Sequence, residues 1–513
     1  MQLGPLSDAV AAATVEAMRL VPRIWERDHT VWAQDPAEVS DRLGWLDAPA
    51  RADAYIDDLR RAADAVVSDG ITDVVLVGMG GSSLYPEVLN TTFGPTPRSP
   101  RLWVLDSTDP AAVLRVEQAV PWERALVVPA SKSGTTIEMV CLLERFLARL
   151  VDAHGSDAGR FVTPITDPGS ELDTRAAEEG FRQVIHGQAD VGGRFSALTP
   201  FGLWPAALLG LDLADHLAPA RDELAAARST DPQVNAPAVL GAVLAAAAKE
   251  GRDKLTLVLP EQVTCFGLWV EQLIAESTGK QGIGIVPVID EDPRSVRLGD
   301  DRLLVVLGDD DLSMALASEG MPVVGLPFGG SADLAREVVR WEFATAVAGG
   351  LLDINPFDQP DVAAAKAATD EVLRTGTDLP STSPVDEVLS RLEPGDYLAL
   401  LGFVTPGGAD EGQINTAAAR LRSQLGVPIT VGIGPRYLHS TGQLHKGGPD
   451  RGVFLIMVGD DPTDAEVPGR ELTFSTLKRA QAAGDLRALA DAGRRVALVS
   501  VEDLTATAAA IAP

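Results

Sequence analysis

Asp73-Val-Val-Leu-Val-Gly78-Met79-Gly80-Gly81-Ser82-Ser83 is a nearly unbroken apolar run that ends in a glycine loop, and a helical pattern begins by about Pro86. A run without polar alternation suits a strand buried on both faces, and a helix directly after it suits a parallel crossover. The same pattern extends along the chain. A helix over 51–69 precedes the stretch, and strands over 102–105, 125–129 and 161–165 follow it, separated by helical segments such as 135–151. After an Ala-rich helix over 235–251, strands over 254–259, 303–307 and 323–326 alternate with helices over 265–279 and 332–352. Residues 375–384 read as a linker, because their Pro, Ser and Thr break both periods. Beyond them, strands over 397–404, 429–433, 453–458 and 495–501 alternate with helices over 411–425 and from about Phe474. The predicted class is α/β: a helical lead-in over 1–48, two doubly wound parallel-sheet domains over 49–234 and 235–378, and a further α/β segment over 385–513.

With 513 residues, the chain has room for roughly three units of about 150 residues each. Lys and Arg number 43 against 73 Asp and Glu, a net charge of -30, which argues against a nucleic acid or an anionic membrane as partner. An anionic small substrate must therefore be met by local charge. The two cysteines, Cys141 and Cys265, lack metal-ligand spacing and suit a reduced, cytoplasmic compartment. Asp8 and Glu16 interrupt the first segment, which reads as an amphipathic helix rather than a signal peptide. No apolar run approaches the roughly 18 residues of a membrane span.

In parallel sheets ligands bind outside the carboxyl ends of strands, so the loops there are where chemistry belongs. Gly80, Gly81 and Ser82 follow the first strand, and the glycines let backbone amides approach an anion. Ser131-Lys132-Ser133-Gly134-Thr135-Thr136 follows another strand and opens a helix, combining free N–H groups, hydroxyls and one cation as a phosphate cradle does. In Cys265-Phe-Gly-Leu-Trp-Val-Glu-Gln-Leu-Ile-Ala-Glu-Ser-Thr-Gly-Lys-Gln281, Phe266, Trp269, Val270, Leu273 and Ile274 share one helical face. Gln272 and Glu276 stack along its edge and Glu271 points away. Gly279 suits a left-handed helix end, and Lys280 suits the negative end of the helix dipole. Elsewhere Arg194 follows a glycine pair, Lys366 lies on a helix after Asn355-Pro-Phe-Asp-Gln-Pro360, and His439 and His445 sit in a glycine-rich segment suited to proton transfer.

The segments G-M-G-G-S-S-L-Y-P, S-K-S-G-T-T, G-G-R-F-S, E-Q-L-I-A-E-S-T-G-K, N-P-F-D-Q-P-D-V-A-A-A-K and L-H-S-T-G-Q, spread from Gly78 to Gln443, resemble the signature segments of the glucose-6-phosphate isomerase family. The resemblance implies two sugar-isomerase-type (SIS) domains sharing one site, a sugar-phosphate substrate and neither metal nor cofactor. It implies that Ser82, Ser131, Lys132, Ser133 and Thr136 bind phosphate, that Arg194 lies near the enediolate, that Gln272 contacts substrate, that Glu276 is the base, and that Lys366 and His439 open the sugar ring. The His segment follows the Asn-Pro-Phe-Asp-Gln-Pro segment instead of preceding it, as in the isomerase half of fused transaldolase-isomerases. Room for a transaldolase barrel of about 250 residues is absent. A homodimer or association with a transaldolase is the expected assembly. The nearest rival activities are a bifunctional phosphoglucose/phosphomannose isomerase and a sugar-phosphate sensor without catalysis.

Overall fold

The computed structural model describes residues 1–376 and 379–511, the side chains of 362–366 apart. Thr377 and Asp378, within the expected linker and at the expected domain boundary, lie outside the described residues.

Among the described residues, three parallel sheets organise the chain. The first contains β1 (Asp73–Gly78), β2 (Arg101–Leu105), β3 (Ala125–Ala130), β4 (Ile165–Thr166) and β5 (Ile185–His186), in the order β2-β1-β3-β4-β5. The second contains β6 (Lys254–Val258), β7 (Val286–Val288), β8 (Arg302–Leu307) and β9 (Val323–Leu326), ordered β7-β6-β8-β9. The third contains β10 (Tyr397–Phe403), β11 (Ile429–Ile433), β12 (Gly452–Val458) and β13 (Arg495–Leu498), ordered β11-β10-β12-β13. Strands β1, β3 and β8 are buried along their whole length, as their unbroken apolar runs require. Of the strand expected over 161–165, Phe161 ends the 3-10 turn Gly155–Phe161, Val162 makes an isolated parallel bridge to Val127, and β4 is confined to Ile165–Thr166. Strands β5 and β7 are too short for periodicity to show.

The lead-in helix Ser7–Trp25 buries Val10, Ala17, Val21 and Ile24 in a hydrophobic cluster that continues through β1, the Glu276 helix and β8 to Phe357. The opposite face of the first sheet is covered by Leu142, Leu143 and Phe146, and also by Phe474 and Leu477 from the third sheet's unit. That last contact carries the C-terminal segment to the carboxyl ends of the first sheet. Among the described residues no helix is long and apolar enough to cross a membrane.

Candidate active site

In the first sheet the chain leaves β1 toward β2 and returns past β1 to β3, so the loops after β1 and β3 diverge and open a crevice between them. The two loops singled out from the sequence line this crevice.

Gly80 has φ +55°, and a β-carbon built on it would lie 2.8 Å from the Gln272 amide nitrogen and 2.9 Å from the His439 carbonyl. A β-carbon on Gly81 would lie 1.9 Å from the Gly193 carbonyl. These glycines therefore let the β1 loop touch the Glu276 helix, the His439 loop and the Arg194 loop. Ser82 is buried beside them.

After β3, the buried Ser131 hydroxyl accepts from the Gly134 amide at 3.1 Å and bonds Thr136 at 3.0 Å. Exposed Ser133 and Thr135 pair at 2.8 Å. Thr136 caps the helix Ile137–His154 without a side-chain bond to it. Lys132 turns away: its ammonium donates to Asp167 at 2.8 Å and to the Gln188 carbonyl at 3.0 Å, and burial lowers its pKa.

The helix Phe266–Thr278 presents Gln272 and Glu276 as their spacing requires. Glu276, 6% exposed, pairs with Arg194 Nη1 at 2.9 Å. Gln272 Nε2 donates to Glu276 Oε2 at 3.0 Å and to the His439 carbonyl at 2.8 Å. Among the described residues Gln272 Oε1 is buried without a hydrogen-bond partner, an acceptor available to a ligand. Arg194 is fixed further by bonds to Ser277 and to the Pro356 and Asp358 carbonyls.

The expectation for Gly279 needs correction, and Glu271 and Lys280 are both buried. Glu271 is 7% exposed, and burial, reinforced by Asp290, pushes its carboxyl up to about 8. Gly279 has φ −79°, so it is not left-handed; it is needed because a β-carbon there would lie 2.3 Å from Leu444 Cα. Lys280 follows the helix end, below the surface. Buried, with its pKa drawn down to about 8 by desolvation and by Arg194, it donates to the Asn355 and Asp358 carbonyls and pairs with the Asp358 carboxylate at 2.6 Å. Arg194 and Lys280 together clamp the Asn355-Pro-Phe-Asp loop against the Glu276 helix.

His439 reaches this place from the loop after β11, in the 3-10 turn Arg436–His439. Its Nε2 lies 2.8 Å from Glu138 Oε1, which also accepts from Gln481 Nε2 at 2.8 Å. A cavity of about 160 Å³ lies here, bounded by Thr135, Thr136, Glu138, His439, Thr369 and Gln481. That is far more than one water needs. Glu276, Gln272 and Arg194 do not line the cavity; they adjoin it through the Gln272–His439 bond. His445 lies elsewhere, buried against Tyr437 and Phe454, and burial together with Lys446 and Arg494 holds its pKa well below the usual histidine value. Lys366 belongs to the helix Val362–Thr375, and its side chain is outside those described.

Sequence reasoning missed Glu138, Gln481 and the clamp role of Lys280. Glu138 carried a signal, standing two residues after the Ser/Thr cluster, but an acid in a helix's first turn is usually explained by the dipole.

Residues 48–291 match the family model described as phosphoglucose isomerase. A glucose-6-phosphate isomerase of Rubrobacter xylanophilus is 30% identical over 392 residues, covering 64% of this chain and 89% of the relative. The Thermus thermophilus enzyme of the same name is 33% identical over 244 residues, 47% of this chain and 57% of its own. Among solved structures, a hypothetical protein from Thermus thermophilus superposes with a TM-score of 0.63 at 26% identity, covering 72% of this chain and 97% of that one. A glucose-6-phosphate isomerase from Chlamydia trachomatis gives 0.62 at 18% identity, 75% of this chain and 88% of that one, and shares the fold.

Proposed function

Because the chain belongs to the phosphoglucose isomerase family, we propose that it interconverts glucose 6-phosphate and fructose 6-phosphate, with Glu276 as the base. The observation that carries this reading is a buried carboxylate held between an arginine and an amide, the same amide gripping the carbonyl of a histidine that faces a cavity. Binding alone needs no such carboxylate.

In this reading the hydroxyls of Ser131, Ser133, Thr135 and Thr136, with the first amides of the helix they precede, hold the phosphate. Gly80, Gly81 and Ser82 form the facing wall, and Lys132 braces the loop from behind through Asp167. His439 gives a proton to the ring oxygen as the bond from that oxygen to carbon 1 breaks, its electron pair going to the oxygen. The carbon 1 hydroxyl proton leaves to Lys366, a role that rests on the family likeness. Glu276 then removes the proton from carbon 2 and returns it to carbon 1 through a cis-enediol, while Arg194 steadies the negative charge that develops. Gln272 Oε1 accepts from a substrate hydroxyl. The burial of His445 among aromatic rings supports His439 over it. A cytoplasmic location and a homodimer, or association with a transaldolase, complete the proposal.

The test is turnover of glucose 6-phosphate and mannose 6-phosphate in parallel coupled assays. Turnover of glucose 6-phosphate alone is expected. Comparable rates on both would make the enzyme bifunctional, and turnover of neither would overturn the reading.

A further inference from the structure

We propose that Gln481 is a positioning residue for ring opening, acting through Glu138 on His439; the assignment rests on the isomerase reading above. Glu138 Oε1 accepts from two sides, His439 Nε2 at 2.8 Å and Gln481 Nε2 at 2.8 Å. The Gln481 amide is held one way round, because its Oε1 accepts from the Thr108 hydroxyl at 2.7 Å, and a reversed amide would set oxygen against the Glu138 oxygen. Thr108 is fully buried, Gln481 is 2% exposed and Glu138 3%. In so dry a setting a carboxylate depends on each of its donors.

The consequence falls on the imidazole. A carboxylate can only accept, so Nε2, the ring nitrogen facing it, keeps its proton whether the ring is neutral or cationic, and Nδ1 is the nitrogen that takes up the proton later given to the ring oxygen. Without the Gln481 donor the Glu138 carboxylate is no longer fixed in the orientation that receives Nε2–H, and the neutral ring redistributes its proton toward Nδ1. The other acids around this cavity are Asp370 and Asp485, and Asp485 is already engaged by the Tyr437 hydroxyl and Lys446. Gln481 lies on the helix Phe474–Asp491 of the third sheet's unit, so the C-terminal segment contributes to the site both the histidine and the group that orients it.

The experiment compares wild type, Gln481→Leu and Thr108→Val on glucose 6-phosphate and on erythrose 4-phosphate, whose phosphorylated O4 cannot close a ring. For Gln481→Leu we expect kcat on the cyclic sugar to fall about tenfold or more, as when an orienting partner is lost, with KM within about twofold. Conversion of the acyclic sugar should stay within about twofold of wild type. Imidazole 15N shifts should place the His439 proton on Nε2 in wild type and move population to Nδ1 in the variant. Thr108→Val, which frees the amide to rotate, should change the same readouts in the same direction and serves if the leucine variant does not fold. Equal losses on both sugars, no loss on either, or an unchanged tautomer would overturn the assignment while leaving an active isomerase. Wild type inert toward glucose 6-phosphate would overturn the isomerase reading, and this assignment with it.

Discussion

At Gly81 no side chain fits: an added β-carbon would stand 1.9 Å from the Gly193 carbonyl, backbone against backbone, with no flexible end to yield. Gly81→Ala should therefore force the β1 loop and the Arg194 loop apart, costing about 2 kcal/mol or more of stability by overpacking. Turnover should fall with it, because Arg194 is displaced from Glu276; melting and kinetics on the purified variant check both, and a variant of wild-type stability and rate would refute the packing argument. The glycine loop was legible as a place of close approach, but what approaches it is protein. A sequence motif names the residue that lacks a side chain without naming the atoms that fill the space. Glu138, Lys280 and Gln481 were missed for a related reason. Each looks locally like a helix-dipole residue or a polar residue on an Ala-rich helix, and its partner lies far along the chain.

The helix Phe266–Thr278 teaches the same at the scale of an element. Its apolar period was readable and correct, but the helix is covered on nearly every side, so the polar face is buried as well. The carboxyl of Glu271 is raised to about 8 from an ordinary 4.5, chiefly by burial. Between those pH values the folded protein keeps a proton that the unfolded chain has lost, so stability falls as pH rises through this window. Glu271→Gln should accordingly gain stability relative to wild type at pH 8 compared with pH 5, read from denaturant midpoints; a difference independent of pH would show that the carboxyl is not held neutral. At the helix Ile137–His154, Ser131→Ala combined with Thr136→Ala should weaken sugar phosphates far more than unphosphorylated sugars, by about tenfold or more at the loss of two hydrogen bonds to a charged group. Equal weakening of both ligand classes in calorimetric titration would move the phosphate elsewhere.

For the molecule as a whole, the alternation of apolar runs and helical patterns was enough to expect parallel sheets, since each strand is a local signal. How the sheets meet was not legible, because the joining pairs span hundreds of residues. Arg436 bonds Asp106 through two nitrogens at 2.7 and 2.8 Å, Lys478 pairs with Asp109, and Gln481 with Thr108, so the loop after β2 receives the third sheet's unit. That docking brings His439 to a crevice formed by residues some 300 positions earlier. Arg436→Ala would leave Asp106, 3% exposed, buried without its cation, a change worth about 3 kcal/mol. It should lower kcat on cyclic substrate more than it lowers phosphate affinity, and the reverse pattern would separate docking from catalysis.

The central claim is that Glu276 moves a carbon-bound proton. Its most direct test follows deuterium from solvent into carbon 2 of glucose 6-phosphate, with substrate binding measured in parallel, for wild type and Glu276→Gln. Wild type should incorporate deuterium, and the variant should bind substrate but lose incorporation and turnover by about a hundredfold or more. A Glu276→Gln protein that keeps both within about tenfold of wild type would contradict that claim.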